Sequence, residues 1–227
     1  MSRIDFRLDR IPNPDERSRN YSVYSAAPSR ELISRIWLTQ GNLNQNFEGA
    51  CTAFAVTNGL LAEPHMGSKE YFTEQFAREQ IYYEAQRNDR FPGGEYPGAN
   101  PRMGGTGVID AVKQAHKLGH ITSYRSSFSF NEFLVGLSYF GPAVIGINWY
   151  SGMENTDRYG MLKVSGRLSG GHSILACGLN IHSRTILFRN SWGNGWGLSG
   201  MCKATFSDTE RLLDEDGEAI FMIKERK

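Results

Sequence analysis

No stretch of this chain approaches the roughly 18 apolar residues of a membrane-spanning helix, and its longest apolar runs, such as Pro142 to Ile147, are strand-sized. The opening MSRIDFRLDRIPNPDERSRN has no apolar core of the kind a secretory signal needs, so neither export nor a membrane partner is expected. An excess of one charge is also missing. With 25 basic side chains against 24 acidic ones the net charge is +1, which argues against a broad nucleic-acid surface. Cysteine is scarce: Cys51, Cys177 and Cys202 are too few for a disulfide scaffold, and an odd number leaves at least one thiol free within one chain. No CxxC-type spacing offers a zinc site. The acidic stretch DTERLLDEDGE lacks the alternating ligands of a calcium loop and is read as a solvated turn. No metal or cofactor is therefore expected. What remains is a 227-residue chain with 40% hydrophobic content, enough for one compact cytoplasmic domain with a thiol to explain.

The chain changes character along its length. Residues 1–40 mix charges with Pro12, Pro14 and Pro28 and hold no sustained helical period, so they read as an extended arm. ACTAFAVTNGLLAE, from Ala50 to Glu63, reads as a buried helix stopped by Pro64. A second helix is expected from Ser68 through about Asn88, and RFPGGEYPGANPRMGG must then be a loop. Thr106 is expected to cap a third helix, and Ser129 with Glu132 has capping-box spacing ahead of a fourth. After Gly141-Pro142, the segments AVIGINWY, ILACGLNI, TILFR, GMCKATF and AIFMIK read as strands without crossover helices. Helices first and strands second imply an α+β fold: a mainly helical lobe (41–140) on an antiparallel, barrel-like lobe (141–227), with a cleft between them.

Cys51 stands at the expected start of the first helix, where unpaired backbone N–H groups and the macrodipole favour thiolate over thiol. On that argument alone a buried structural cysteine is the commoner reading. Other residues reverse the odds. Gln45 lies just upstream, and its side-chain amide can donate to an oxyanion beside the thiol. His172 follows Gly170-Gly171 and opens an apolar strand. Asn190 ends the strand TILFR and can hold one tautomer of the imidazole, while Trp192 can shield that hydrogen bond.

The blocks NQNFEGACTAFA, SGGHSILACGLN and FRNSWGNGWGLSGM together resemble the three active-site blocks of the papain-like (C1) cysteine proteases, in chain order Cys, His, Asn. The variant looks most similar to bacterial and phage members. The resemblance implies a single two-lobed peptidase domain over 1–227 and a polypeptide substrate. It implies Cys51 as nucleophile, His172 as general base and then acid, and Asn190 as the residue orienting His172. Gln45 would complete the oxyanion hole with the Cys51 N–H, and Gly104 and Gly105 would line the cleft on the acyl side. The pocket for the second residue before the scissile bond would be lined from Gly104–Gly105, the Ala143–Ile147 strand and the segment before His172. Cys51 and His172 would rest as a thiolate–imidazolium pair and act through a thioester acyl-enzyme.

Three departures stand out. Thr52 occupies a position where an aromatic is usual. Glu48 stands where secreted members carry a disulfide cysteine, and is expected to face solvent. The family's long inhibitory prodomain is not in evidence, and the arm is expected either to strap the back of the lobes or to cover part of the cleft. Cys177 and Cys202 are read as buried strand thiols. A monomer is expected. The alternatives are an amidase of the same machinery acting on isopeptide or peptidoglycan bonds, or a peptide-binding module without turnover.

Overall fold

A computed structural model of the chain describes residues 8–13, 16–25, 30–101 and 104–224. Parts of the expected arm, including Pro14 and Pro28, lie outside the described residues, as do Arg102 and Met103 of the long loop. Among the described residues no helix is long and apolar enough to cross a membrane.

Helix α1 spans Cys51–Leu60, and every one of its residues is buried. The next helix begins later than expected. Ser68 instead closes a turn, accepting from Glu70 N through its hydroxyl and from Phe72 N through its carbonyl. Thr73 is the true cap: its side chain accepts from Phe76 N at 3.1 Å and starts α2, Glu74–Phe76. The helix continues through a π-helical segment, Ala77–Tyr82, into α3, Tyr83–Asn88. Helix α4, Val108–Lys117, is capped by Gly107 rather than Thr106, whose hydroxyl donates to Asp89. Helix α5, Phe130–Tyr139, starts as expected at Ser129, which accepts from Glu132 N.

The strands are β1 (Arg35–Ile36), β2 (Ser123–Ser127), β3 (Ala143–Tyr150), β4 (Leu168–Asn180), β5 (Thr185–Arg189), β6 (Met201–Thr205) and β7 (Glu218–Ile223). They form one antiparallel sheet in the order β2-β7-β3-β4-β5-β6, with β1 added to β4. The expected barrel-like lobe is thus corrected to an open sheet. Its edges are blunted by local chain instead of joining: Ser22 bridges to Ser126 on β2, and Met161 bridges to Lys203 on β6. The acidic stretch read as a turn is also corrected. Most of it forms helix α6, Phe206–Asp214, capped by Thr205 and anchored by buried Phe206, Thr209 and Leu212.

The sheet is a shared wall between two cores. On β3, Ala143, Ile145, Ile147 and Trp149 face a core built with α5 and α6, while Val144 faces the other, built with α1 and α4. On β7, Phe221 and Met222 divide in the same way. This is the period-2 alternation of a sheet covered on both faces. On β4, Leu175 and Cys177 face α1, but Leu179 faces the α5 side. The register shift between Ala176 and Gly178 accounts for that change of face. Helix α1 therefore packs against the strand that carries His172.

Candidate active site

Cys51 is the first residue of α1, after Ala50, which makes no side-chain cap. The first-turn N–H groups are thus left to the site rather than to a capping residue. His172 lies on β4, opposite Ile147 of β3. The backbone of the next residue, Ser173, lies beside the Cys51 thiol and opposes the rise of its pKa, so the helix start and the histidine strand meet at the sulfur. His172 Nε2 lies 2.9 Å from Asn190 Oδ1, which also accepts from Ser191 N at 2.8 Å. The amide oxygen requires the proton on Nε2, leaving Nδ1 as the basic nitrogen. Among the described residues Nδ1 has no hydrogen-bond partner.

Gln45 is tied to the same block. Its N–H donates to Ser191 O at 2.8 Å and its Oε1 accepts from Ser191 Oγ at 2.7 Å. Its Nε2 donates to Glu48 O at 2.8 Å. An amide nitrogen carries two hydrogens, so a second remains to donate. Glu48 does not simply face solvent: both its carboxylate oxygens accept from Arg78 Nε, at 2.7 and 2.8 Å. That pairing turns its charge toward a cation.

Trp192 packs at a tilt of 35° on His172 with ring centroids 4.8 Å apart. A second tryptophan, missed in the sequence, stands edge-on at the same distance: Trp149, opposite Gly170 in the β3–β4 ladder. Trp196 closes the cluster 5.2 Å from Trp192. The apolar wall excludes water from the His172–Asn190 bond, where a low dielectric strengthens it. All three cysteines are free and buried, Cys177 and Cys202 within the sheet.

The arm enters the site. Asp9 bridges to Gly171, Arg10 N donates to Gly171 O at 3.0 Å, and Ile11 N donates to Thr106 O at 3.2 Å. This short extended segment therefore joins the histidine strand to the glycine loop. The loop is held from behind by Tyr82 Oη, which accepts from Gly105 N at 2.7 Å, and by Gln86 Nε2, which donates to Gly105 O at 3.0 Å. Gly105 has φ +97°, and a Cβ there would lie 1.6 Å from the Asp9 carbonyl oxygen. The Asp9 carboxylate lies 2.5 and 2.6 Å from where Cβ atoms would stand on Gly49 and Gly104. Residues 9–11 cover the cleft, while buried Val23 and the Trp37 Nε1 bond to Leu137 O at 2.8 Å strap the chain behind α5.

Cys51 and His172 are fully buried in this state. Burial pushes the Cys51 thiol up to about 12, and the Asp9 charge adds to the rise. Burial pushes His172 down to about 4, against the opposing pull of Asn190. With the arm seated, burial opposes the expected thiolate–imidazolium pair, because neither ion is solvated. Open pockets lie elsewhere, such as one of about 630 Å³ lined by Thr39, Phe72, Glu74 and Arg189.

No family model matches the chain. The chain superposes on xylellain, a cysteine protease from Xylella fastidiosa, with a TM-score of 0.72 and 18% identity, covering 100% of this chain and 99% of that one. It also matches the ragweed pollen allergen Amb a 11, a cysteine protease in its proform, with a TM-score of 0.67 and 14% identity over 98% of this chain and 75% of that one. The fold is that of the papain-like cysteine proteases. A peptidase C1-like protein of Acanthamoeba polyphaga mimivirus is 48% identical over 54 residues, which are 24% of this chain and 16% of that protein. The papain-like fold accounts for the meeting of α1 with β4. Neither Asp9, Arg10 nor Ser191 carried a local signal for its place in the site.

Proposed function

We propose that this chain is a cysteine-type peptidase that cleaves polypeptides through a Cys51–His172–Asn190 site. The observation that carries the reading is the buried 2.9 Å bond from His172 to Asn190, on the strand whose next residue lies beside the thiol at the start of α1. Once the arm leaves, water returns to the pair. The desolvation that keeps both groups neutral falls and both return toward their ordinary values, so His172 takes the Cys51 proton as a peptide carbonyl comes within reach. The thiolate then attacks the peptide carbonyl, forming the C–S bond. The second Gln45 N–H and the Cys51 backbone N–H receive the oxyanion. His172 gives its proton to the departing amine as the C–N bond breaks. It next takes a proton from water, which attacks the thioester and releases the thiol and the acid product.

The arm is read as a built-in block, since residues 9–11 fill the place where a peptide must lie. We read the whole chain as one catalytic domain, active as a monomer. Cytoplasmic residence in a bacterium or phage-infected cell is supported by the three free thiols and the resemblance to short-armed members. Glu48, paired with Arg78, stands in place of a disulfide cysteine. The test is iodoacetamide labelling together with cleavage of a denatured proteome. Cys51 should label first, His172→Ala should slow that labelling, and Cys51→Ala should abolish cleavage. Cleavage retained by Cys51→Ala would sink the assignment.

A further inference from the structure

We propose that the pocket of about 630 Å³ beside Arg189 is a binding site for a small organic anion, one with a carboxylate or phosphate head on an apolar body. None of its lining residues belongs to the proposed catalytic set. Three pieces of chain build it: the segment 39–43, the turn and helix start at 69–74, and the end of β5 with the loop at Ser199. Arg189 is the last residue of β5, and among the described residues no carboxylate pairs with it. A guanidinium carries five N–H donors. Nη1 donates to Ser199 O at 2.7 Å and Nη2 to Thr39 Oγ1 at 3.3 Å, both neutral acceptors. Nε is buried and has no hydrogen-bond partner among the described residues. Burial pulls the Arg189 pKa down, the direction expected of a cation with no counter-charge.

Asn42 lines the same pocket, and both its Oδ1 and its Nδ2 are buried without a partner among the described residues. Gly200 lets the two side chains converge. A Cβ on it would lie 2.6 Å from Asn42 Oδ1 and 2.9 Å from Arg189 Nη1, so a side chain there would push them apart. The guanidinium donors still free and the Asn42 amide hydrogens are what an oxyanion accepts from. Lys69 stands exposed in the lining and adds a second cation. Glu74 is the one carboxylate in that lining, and its Oε1 is engaged, accepting from Asn44 N at 2.8 Å. Two cations thus face one carboxylate, and the balance favours an anion.

The remaining lining gives the ligand its second property. Leu43, Leu61 and Phe72 supply apolar surface that a bare inorganic ion would leave in contact with water. An anion with an apolar body covers that surface and meets Arg189 at once. The site also borders the segments that carry Gln45 and Asn190. Asn42 lies three residues before Gln45, and Asn190, which follows Arg189, donates its N–H to Gly200 O at 2.9 Å. An anion held between Asn42 and Arg189 ties these segments together and stabilises the folded chain.

The test is isothermal titration calorimetry and thermal melting of the full-length chain with phenyl phosphate and with benzoate. Benzyl alcohol serves as the neutral control. At least one of the anions should bind with a Kd of about 1 mM or tighter and raise the melting temperature, and the tighter of the two identifies the head group. Benzyl alcohol should do neither. Arg189→Gln should weaken binding by about tenfold or more, as the loss of a charge-assisted contact implies. Asn42→Asp, which keeps the side-chain shape, supplies a carboxylate beside the guanidinium from within the chain. It should raise the melting temperature without ligand and abolish anion binding, and it decides the matter even if Arg189→Gln folds poorly. Binding of neither anion, equal binding of benzyl alcohol, or an affinity unmoved by Arg189→Gln or Asn42→Asp would overturn the proposal. None of these readouts uses cleavage, so the site and the peptidase reading stand or fall separately.

Discussion

Ser191 Oγ donates to Gln45 Oε1 at 2.7 Å, joining the proposed oxyanion donor to the residue that follows Asn190. The two halves of the site are thereby fixed to one another rather than set separately. Gln45→Ala removes the donor and should lower kcat about 100-fold or more. Ser191→Ala leaves the amide in place but lets it rotate, so we expect a smaller fall in kcat, about tenfold, with KM little changed. Steady-state kinetics beside the iodoacetamide rate checks this. A loss of labelling in Ser191→Ala would indicate a disturbed thiol instead of a misaimed amide.

Gly105→Ala should unseat the arm, because its Cβ would fall 1.6 Å from the Asp9 carbonyl oxygen. Cys51 is fully buried beneath that segment. Its labelling by a small reagent should therefore accelerate, by about tenfold for each 1.4 kcal/mol by which closure is weakened. Labelling is the proper readout, since the same loop is read as a wall of the substrate groove. An unchanged rate would mean that the arm does not control access.

Arm closure should be strongest between about pH 6.5 and 9, the ordinary values of the two buried groups. With the arm seated His172 stays neutral down to about 4, so between pH 6.5 and 4 the open state binds the extra proton and acid favours opening. The Cys51 thiol holds its proton up to about 12 instead of 9.0, so above pH 9 the open state loses a proton that the closed one keeps. Alkali therefore also favours opening. Limited proteolysis of residues 8–13 across pH should give a minimum in that window. His172→Gln should flatten its acid side.

Leu212→Ala in α6 should destabilise the fold by about 2–4 kcal/mol, since this residue is only 2% exposed and belongs to the core beside β3. Arg211→Ala, one residue away and half exposed in its pairing with Glu215, should cost no more than about 1 kcal/mol. Thermal melts of the two variants separate packing from surface charge.

The contrast between those neighbours explains why α6 was hidden in the sequence. Its acidic composition reads as solvated and masks the helical spacing of Phe206, Thr209 and Leu212. Strand β2 was equally hidden. SYRSS has no apolar alternation and is held by its pairing with β7. By contrast α1, β3 and β5 were legible because both their composition and their stops agree with their structure. Cys51, His172, Asn190 and Gln45 were singled out from local context, although His172 lies inside β4, which begins at Leu168, rather than at a strand start. Arg10 and Glu218 meet across 208 residues of chain, and neither sits in a segment whose composition marks it out. Contacts of that kind arise from the fold as a whole.

The covalent connection between Asp9 and the rest of the chain has one more consequence. A separate inhibitor at nanomolar protein would be shed on dilution, but a tethered segment meets its own cleft at an effective concentration on the order of millimolar, however dilute the solution. On the proposed reading of the arm as a block, silence would be a property of each molecule and independent of how much protein the cell holds. Because Val23 and Trp37 anchor the chain behind the sheet, a single cut between residues 11 and 22 would free the blocking piece while leaving the anchor in place. That would turn a reversible equilibrium into a one-time commitment.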